Sequence, residues 1–244
     1  MRISVIIPTL NEERALPATL RHTLSLGFDE LIVVDGGSSD RTCEVVEKLE
    51  VGGETTTHSF PTQSSDLSPV TLLTSPPGRA RQMNAGAAAA KGDVLLFLHA
   101  DTLLPNDAQK VIVAALEDPQ TVGGRFDLRF ARDTGLGRLI SRMINLRSRL
   151  SGIATGDQAI FVRRATFDAL GGFSDIPLME DVGFTKRLKR LGRTAALRSY
   201  VVTSFRRWEA RGPIRTILLM WSLRFLYWIG VSPRTLSRFY GTVR

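Results

Sequence analysis

The sequence predicts an α/β protein with a mostly parallel sheet flanked by helices. Three observations carry that expectation. Short runs rich in β-branched and leucine residues recur: ISVII (3–7), ELIVV (30–34), VTLLT (70–74) and VLLFL (94–98). Each run is continuous rather than alternating, the pattern of a strand buried on both faces. Helix-favouring stretches separate the runs, as right-handed βαβ crossovers require. A chain of 244 residues, 43% hydrophobic and 23% charged, is also long enough to bury one large core.

Taken in order, residues 3–7 are a first buried strand. A helix over 13–26 follows the acidic pair Glu12 and Glu13, and strand 30–34 comes next. A second helix spans 40–50 with Asp40 as its N-cap. The stretch 51–69 is polar, rich in Gly, Thr, Ser and Pro, and lacks periodicity, so it reads as a surface loop in which His58 is incidental. After strand 70–74, the Ala-rich run from Arg79 to Lys91 is strongly helix-favouring and leads into strand 94–98. Later strands are expected at 124–130 and 159–163, with helices at 135–150, 164–171 and 181–191. No repeat or linker divides the chain.

Composition narrows the function. A single cysteine, Cys43, excludes an internal disulfide and suits a reducing compartment. His22, His58 and His99 are too scattered for a zinc site. The first apolar run is too short for a signal peptide, so a cytoplasmic location is expected. Charge is uneven: residues 1–124 carry a net −7 and residues 125–244 a net +15. The basic half reads either as a solvated surface or as a face toward phosphates or lipid headgroups. No nucleic-acid motif accompanies the charge, so nucleic acid is not an expected partner.

In an open α/β sheet, ligands bind beyond the carboxyl ends of the strands. Three loops should therefore share one rim: Pro8-Thr9-Leu10-Asn11-Glu12-Glu13, Asp35-Gly36-Gly37-Ser38-Ser39-Asp40, and His99-Ala100-Asp101-Thr102. No Gly-x-Gly-x-x-Gly follows strand one, no Walker loop occurs, and no Gly-x-Ser-x-Gly elbow is present. These absences argue against dinucleotide oxidoreductases, P-loop enzymes and serine hydrolases. Asp101 ends a buried strand, where a carboxylate is costly unless paired or metal-bound. It reads either as a helix cap or as a ligand for a divalent ion on a diphosphate.

In that context the motifs resemble those of family 2 glycosyltransferases with the GT-A fold. PTLNEE and VVDGGSSD are similar to the two nucleotide-binding loops. GRARQMNAGAAAAKGDVLLFLHADT resembles the helix that leads into the metal-binding strand. GDQAIFVRRATFDALGGF and MEDVGFTKRLKRLG resemble the acceptor-side strand and the catalytic helix. The matches arrive in the family's order over roughly residues 1–195. The HADT motif and the basic, aromatic C-terminus resemble a bacterial subgroup near the carotenoid-type, diaponeurosporenoate-like enzymes.

The resemblance implies roles. Pro8, Thr9, Glu12 and Asp35 would hold the base and ribose of a nucleotide-diphosphate sugar, and Arg79 and Asn84 would lie near the diphosphate or the uridine. Asp101 would complete the donor site as the ligand of Mn²⁺ or Mg²⁺. Asp181 would be the general base of one inverting displacement, supported by Glu180. A neighbouring like charge raises a carboxylate pKa, which suits a base. Two departures stand out. His99 replaces the first Asp of the usual Asp-x-Asp; an imidazole can ligate a metal but brings no negative charge, which implies either a lower metal affinity or a preference moved from Mg²⁺ toward Mn²⁺. Asp35-Gly36-Gly37-Ser38 lacks the second acid of Asp-Asp-Gly-Ser. Arg206-Arg207-Trp208 resembles part of Gln-x-x-Arg-Trp, but Ser204 stands where Gln would, so processive polymerisation is not expected. Arg207 reads either as a diphosphate contact or as a basic surface turn.

The expected division is a GT-A domain over 1–205 and a helical C-terminal extension over 206–244. A helix through 136–150 would place Leu136, Leu139, Ile140, Met143, Ile144, Leu146 and Leu150 on one face and Arg138, Arg142, Asn145 and Arg149 on the other, with Arg147 among the apolar residues. Ile214 to Val231 is apolar nearly all round and would be about 27 Å long as a helix. Arg224 near its middle disfavours a full membrane span. It reads as an interfacial anchor, with Trp221, Phe225 and Trp228 at headgroup depth, or as a helix packed on the sheet or in a homodimer. A lipid-like acceptor, polyprenyl phosphate or carotenoid, and a peripheral position on the cytoplasmic side of the membrane follow from the anchor reading. The alternatives are a sugar-phosphate nucleotidyltransferase and a non-catalytic binder of nucleotide sugars or lipids.

Overall fold

The continuous apolar runs all become strands. A computed structural model describes residues 1–51, 70–132 and 135–240, without the side chains of 49–51, 207, 210 and 211. Its elements are β1 (Ile3–Thr9), α1 (Leu16–Ser25), β2 (Glu30–Asp35), α2 (Thr42–Val51), β3 (Val70–Thr74), α3 (Arg79–Ala89), β4 (Val94–Phe97), β5 (Thr102–Leu103) and α4 (Ala108–Ala115). There follow β6 (Thr121–Phe130), α5 (Gly135–Ser151), a 3-10 turn (Gly156–Gln158), β7 (Ile160–Arg163), α6 (Arg164–Ala169), α7 (Glu180–Leu188), β8 (Arg193–Thr203), α8 (Arg206–Arg211), α9 (Pro213–Trp228) and α10 (Pro233–Tyr240). The polar loop expected over 51–69, with His58, lies outside the described residues except for Val51, the last residue of α2.

The eight strands form one sheet in the order β3-β2-β1-β4-β7-β6-β8-β5. β3, β2, β1 and β4 are parallel, as the crossovers predict. β7 then runs antiparallel between β4 and β6, and β5 is antiparallel to β8, while β6 and β8 are parallel. The sheet is thus parallel-dominated in its first half and mixed in its second. β8 is absent from the sequence expectation because RTAALRSYVVT carries two arginines and none of its residues before Val201 is buried. β6 begins at Thr121, three residues earlier than the run 124–130 suggests.

Buried side chains form a cluster on each face of the sheet. One joins Leu16 and Leu20 of α1, Val46 of α2, Ile112 of α4 and Ile140 of α5 to the strands. The other joins Ala80 and Met83 of α3, Phe167 of α6, and Phe184 and Leu188 of α7. A third, smaller cluster ties Leu223 of α9 and Leu236 of α10 to Met179, just before α7.

α5 has the two faces read from the sequence, and its apolar row lies outside. Ile140, Ser141 and Ser148 are buried, and Asn145 exchanges hydrogen bonds with the Leu128 backbone at 2.9 and 3.0 Å. Arg149 pairs with Asp127 at 2.6 Å. The stripe of Gly137, Ile140, Ser141 and Ser148 therefore packs toward the protein, while Arg138, Arg142 and Arg149 and the row Leu136, Leu139, Met143, Leu146 and Leu150 stay exposed. On α9, Trp221, Phe225 and Trp228 are likewise exposed, at 57%, 58% and 76%. No helix of the described residues is long and apolar enough to cross a membrane.

Candidate active site

The ends of β1 and β2 meet at a buried carboxylate. Asp35, 2% exposed, accepts the Gly37 and Ser38 amides at 2.8 Å each and also the Ser38 hydroxyl. Thr9 donates to it at 3.4 Å. Asp35 thus holds the turn that would present the second loop to a nucleotide. Gln82, which the sequence reading did not single out, closes the same corner. Its buried amide donates to Thr9 O at 2.6 Å and Val34 O at 2.9 Å. A Cβ on Gly36 would lie 2.9 Å from that amide nitrogen, so the position admits only glycine without a shift. An apolar helix pattern offers no cue for Gln82; only the packing of α3 on β1 and β2 reveals it.

Glu12 and Asp101 converge from two different loops. Arg206 Nη2 lies 3.1 Å from Glu12 Oε2 and 3.5 Å from Asp101 Oδ2. Burial raises the Glu12 carboxyl above its ordinary value; the Arg206 hydrogen bond opposes this and the Asp101 charge adds to it. Two carboxylates that already share one cation are a donor set suited to a hard divalent ion. Among the described residues no three His, Cys, Asp or Glu side chains are grouped as a metal site. His99 sits against the 3-10 turn: a Cβ on Gly156 would fall 2.5 Å from His99 Nε2. The side chain of Arg207 is outside the described residues, and its neighbour Arg206 makes the contacts to the carboxylates.

Glu180 and Asp181 stand at the start of α7. Asp181 Oδ2 accepts the Gly156 amide at 2.7 Å, and Oδ1 accepts the Val182 amide at 2.7 Å. These bonds fix the carboxylate in a cavity lined also by Pro8, Arg79, Met83, His99 and Phe173. Glu180 is buried and faces Arg79 Nη1 at 3.4 Å. Burial, then the adjacent Asp181 charge, push the Glu180 carboxyl above its ordinary value, against the pull of Arg79. Asn84 exchanges hydrogen bonds with the Phe173 backbone at 2.8 and 2.9 Å, which pins the turn after α6 onto α3. Met179, Ala159 and Asn11 adopt positive φ of 69°, 47° and 56°. All three border the rim, where such backbone strain tends to collect.

Comparison with known proteins gives the family and the fold. Residues 4–170 match the family described as Glycosyl transferase family 2. That span includes Pro8 through Asp101 and ends before Glu180 and Asp181. The chain is 29% identical to the "Probable glycosyltransferase YdaM" of Bacillus subtilis (strain 168), over 78% of this chain and 47% of the relative. It is 31% identical to an "Undecaprenyl-phosphate 4-deoxy-4-formamido-L-arabinose transferase" of Pseudomonas paraeruginosa, over 66% of this chain and 46% of the relative. The chain therefore spans about half the length of the curated relatives it matches. Among solved structures, S. aureus TarS 1-349 in complex with UDP-GlcNAc shares the fold with a TM-score of 0.62 and 20% identity, over 84% of this chain and 58% of that one. The mannosyltransferase PcManGT from Pyrobaculum calidifontis, in complex with GDP-Man and Mn²⁺, does so with 0.65 and 22%, over 83% and 56%. The GT-A architecture and the match over most of its length establish that the chain belongs to glycosyl transferase family 2.

Proposed function

We propose that the chain is an inverting glycosyltransferase that moves a sugar from a nucleoside diphosphate to a lipid-like acceptor at a membrane surface. One observation carries the reading: Asp181, fixed by two backbone amides, shares a cavity with Pro8, Arg79 and His99. That shared cavity supports a base facing a donor rim. Pro8, Thr9, Glu12 and Asp35 line or shape the nucleotide side. Arg79 would meet the diphosphate, and Asn84 would act through the turn it pins. Asp181 takes the proton of an acceptor hydroxyl as its oxygen attacks the anomeric carbon, and the nucleoside diphosphate leaves. Glu180 holds Arg79 and adds negative charge beside the base.

A divalent ion would be held by Asp101 and Glu12, displacing Arg206, with His99 reaching in from the Gly156 side. It would neutralise charge on the leaving diphosphate. The Mn²⁺ in a structural neighbour's complex supports a metal here. The undecaprenyl-phosphate transferases among the relatives support a lipid acceptor. The exposed aromatic row of α9 supports a peripheral place on the cytoplasmic face, with residues 206–244 as the anchoring extension.

Asp181→Asn tests the base. Binding of UDP- and GDP-sugars should persist while transfer falls by about 10²–10⁴-fold. Near-normal turnover would refute the assignment. A polyprenyl phosphate and a carotenoid carboxylate, offered in parallel with a hydroxyl acceptor, identify the acceptor class.

A further inference from the structure

Asp101 and Arg206 face each other because the backbone puts them there. Thr102 pairs with Thr203 in the antiparallel β5–β8 ladder, and their hydroxyls are 2.9 Å apart. Continued by one residue, that register sets Asp101 opposite Ser204, just before the start of α8. Phe205 is buried, with its ring 4.8 Å from that of Phe130 and stacked 6.1 Å from that of Trp208, which fixes the first turn of the helix. Ser204 aims the guanidinium: its hydroxyl accepts Arg206 Nε at 3.1 Å and the Arg206 amide at 3.2 Å. Nη2 then lies 3.1 Å from Glu12 Oε2 and 3.5 Å from Asp101 Oδ2. Glu12 is placed in turn by Thr42, whose hydroxyl accepts the Glu12 amide at 2.9 Å. One nitrogen thus sits between carboxylates of two different loops, where a bridging cation would sit.

We propose that Arg206 is a tethered cation that competes with divalent metal for the seat between Glu12 and Asp101, and so sets how readily free metal enters the protein. This rests on the metal seat of the proposed function and adds a residue that controls it. Stability alone does not account for the contact, because the Arg206 side chain is 54% exposed and exposed ion pairs contribute little. Competition does account for it. A cation carried on the same chain is present at high effective concentration, and a metal from solution must displace it. With His99 in place of a carboxylate, the seat offers an entering ion only the charges of Glu12 and Asp101. A metal that arrives with a nucleoside diphosphate brings phosphate oxygens as further hard ligands, and these offset the loss of the Arg206 contacts. Free metal brings none.

The test is titration of the full chain with Mn²⁺ in the absence of nucleotide, with the free ion followed by its electron paramagnetic resonance signal. Arg206→Gln and Arg206→Met both remove the charge, and Met keeps much of the stem. Mn²⁺ should bind each variant at least about fivefold more tightly than it binds the wild type. Adding Asp101→Asn to either variant should abolish the gain and so assign it to this seat. Unchanged Mn²⁺ affinity in both variants overturns the proposal, and a fall in UDP or GDP affinity beside it would assign Arg206 to the donor. A gain that survives Asp101→Asn also overturns it, because the ion would then be held elsewhere. Loss of the fold in both variants would make the contact structural and overturn the proposal too. The underlying metal seat is tested separately, with wild type saturated with UDP or GDP. Binding of Mn²⁺ that Asp101→Asn does not weaken there would refute the seat itself, and the role of Arg206 with it.

Discussion

At the scale of single residues, the donor corner depends on side chains that bind other protein groups. Gln82 is the clearest case, since its one amide satisfies two buried carbonyls at the ends of neighbouring strands. Gln82→Ala leaves both without that donor, and urea melts should show a loss of about 1–3 kcal/mol together with weaker nucleotide binding. Glu180 makes a different prediction. Its folded-state carboxyl titrates above its ordinary value of 4.5, chiefly because it is buried. The folded protein thus keeps this proton where the unfolded chain releases it, and the stabilisation it brings is lost as pH rises through that window. The melting temperature of Glu180→Gln, measured relative to wild type, should rise steadily in the variant's favour from pH 4.5 upward. A flat difference would mean that Glu180 ionises normally in the folded state. Legibility differed between these two. Glu180 and Asp181 stand out in the sequence as an acidic pair at a helix start, whereas Gln82 sits within an Ala-rich helix like any surface glutamine.

At the scale of elements, α5 shows what an amphipathic pattern does and does not decide. The spacing of its leucines and arginines foretells two faces, and both exist. Which face turns inward is decided by what β6 offers: the Leu128 backbone captures Asn145, and Asp127 captures Arg149. The apolar row is therefore left outside, where it can meet lipid. Leu146→Ser and Trp221→Ser should each reduce flotation with anionic liposomes several-fold and leave the melting temperature within about 2 °C, because neither side chain is in the core. A large drop in melting temperature would instead place these residues in an interface between copies of the chain. β8 eluded the sequence because its second face is largely open, so no continuous apolar run marks it.

At the scale of the whole molecule, the C-terminal helices brace the candidate site. Leu223 and Leu236 cover Met179, the strained residue that precedes Glu180 and Asp181. Ending the chain at Arg211 should lower the melting temperature by exposing these side chains, each worth about 1.5–3 kcal/mol when buried. It should also raise hydrogen exchange at the amides of Val182 and Gly156. A truncated protein that retains wild-type exchange there would separate the anchor from the site. If the chain acts at a membrane as proposed, the net charge of +8, concentrated in the second half of the chain, would give it a salt-sensitive attraction to anionic vesicles. Flotation should weaken as salt rises from about 0.05 M to about 0.5 M and persist in part through the apolar contacts.

The sequence by itself determined the α/β class, the four parallel strands and the acidic rim, because each is written in local patterns: continuous apolar runs, crossover helices, and carboxylates at strand ends. It also marked the exposed aromatic helix, since a segment apolar all round with one central arginine has few soluble solutions. The mixed second half of the sheet, the inward stripe of α5, the Gln82 clasp and the convergence of Glu12 and Asp101 on Arg206 were decided only by the tertiary structure. Each joins residues far apart in the chain through packing and electrostatics, and no local pattern encodes which distant carbonyl, carboxylate or like charge a side chain will meet.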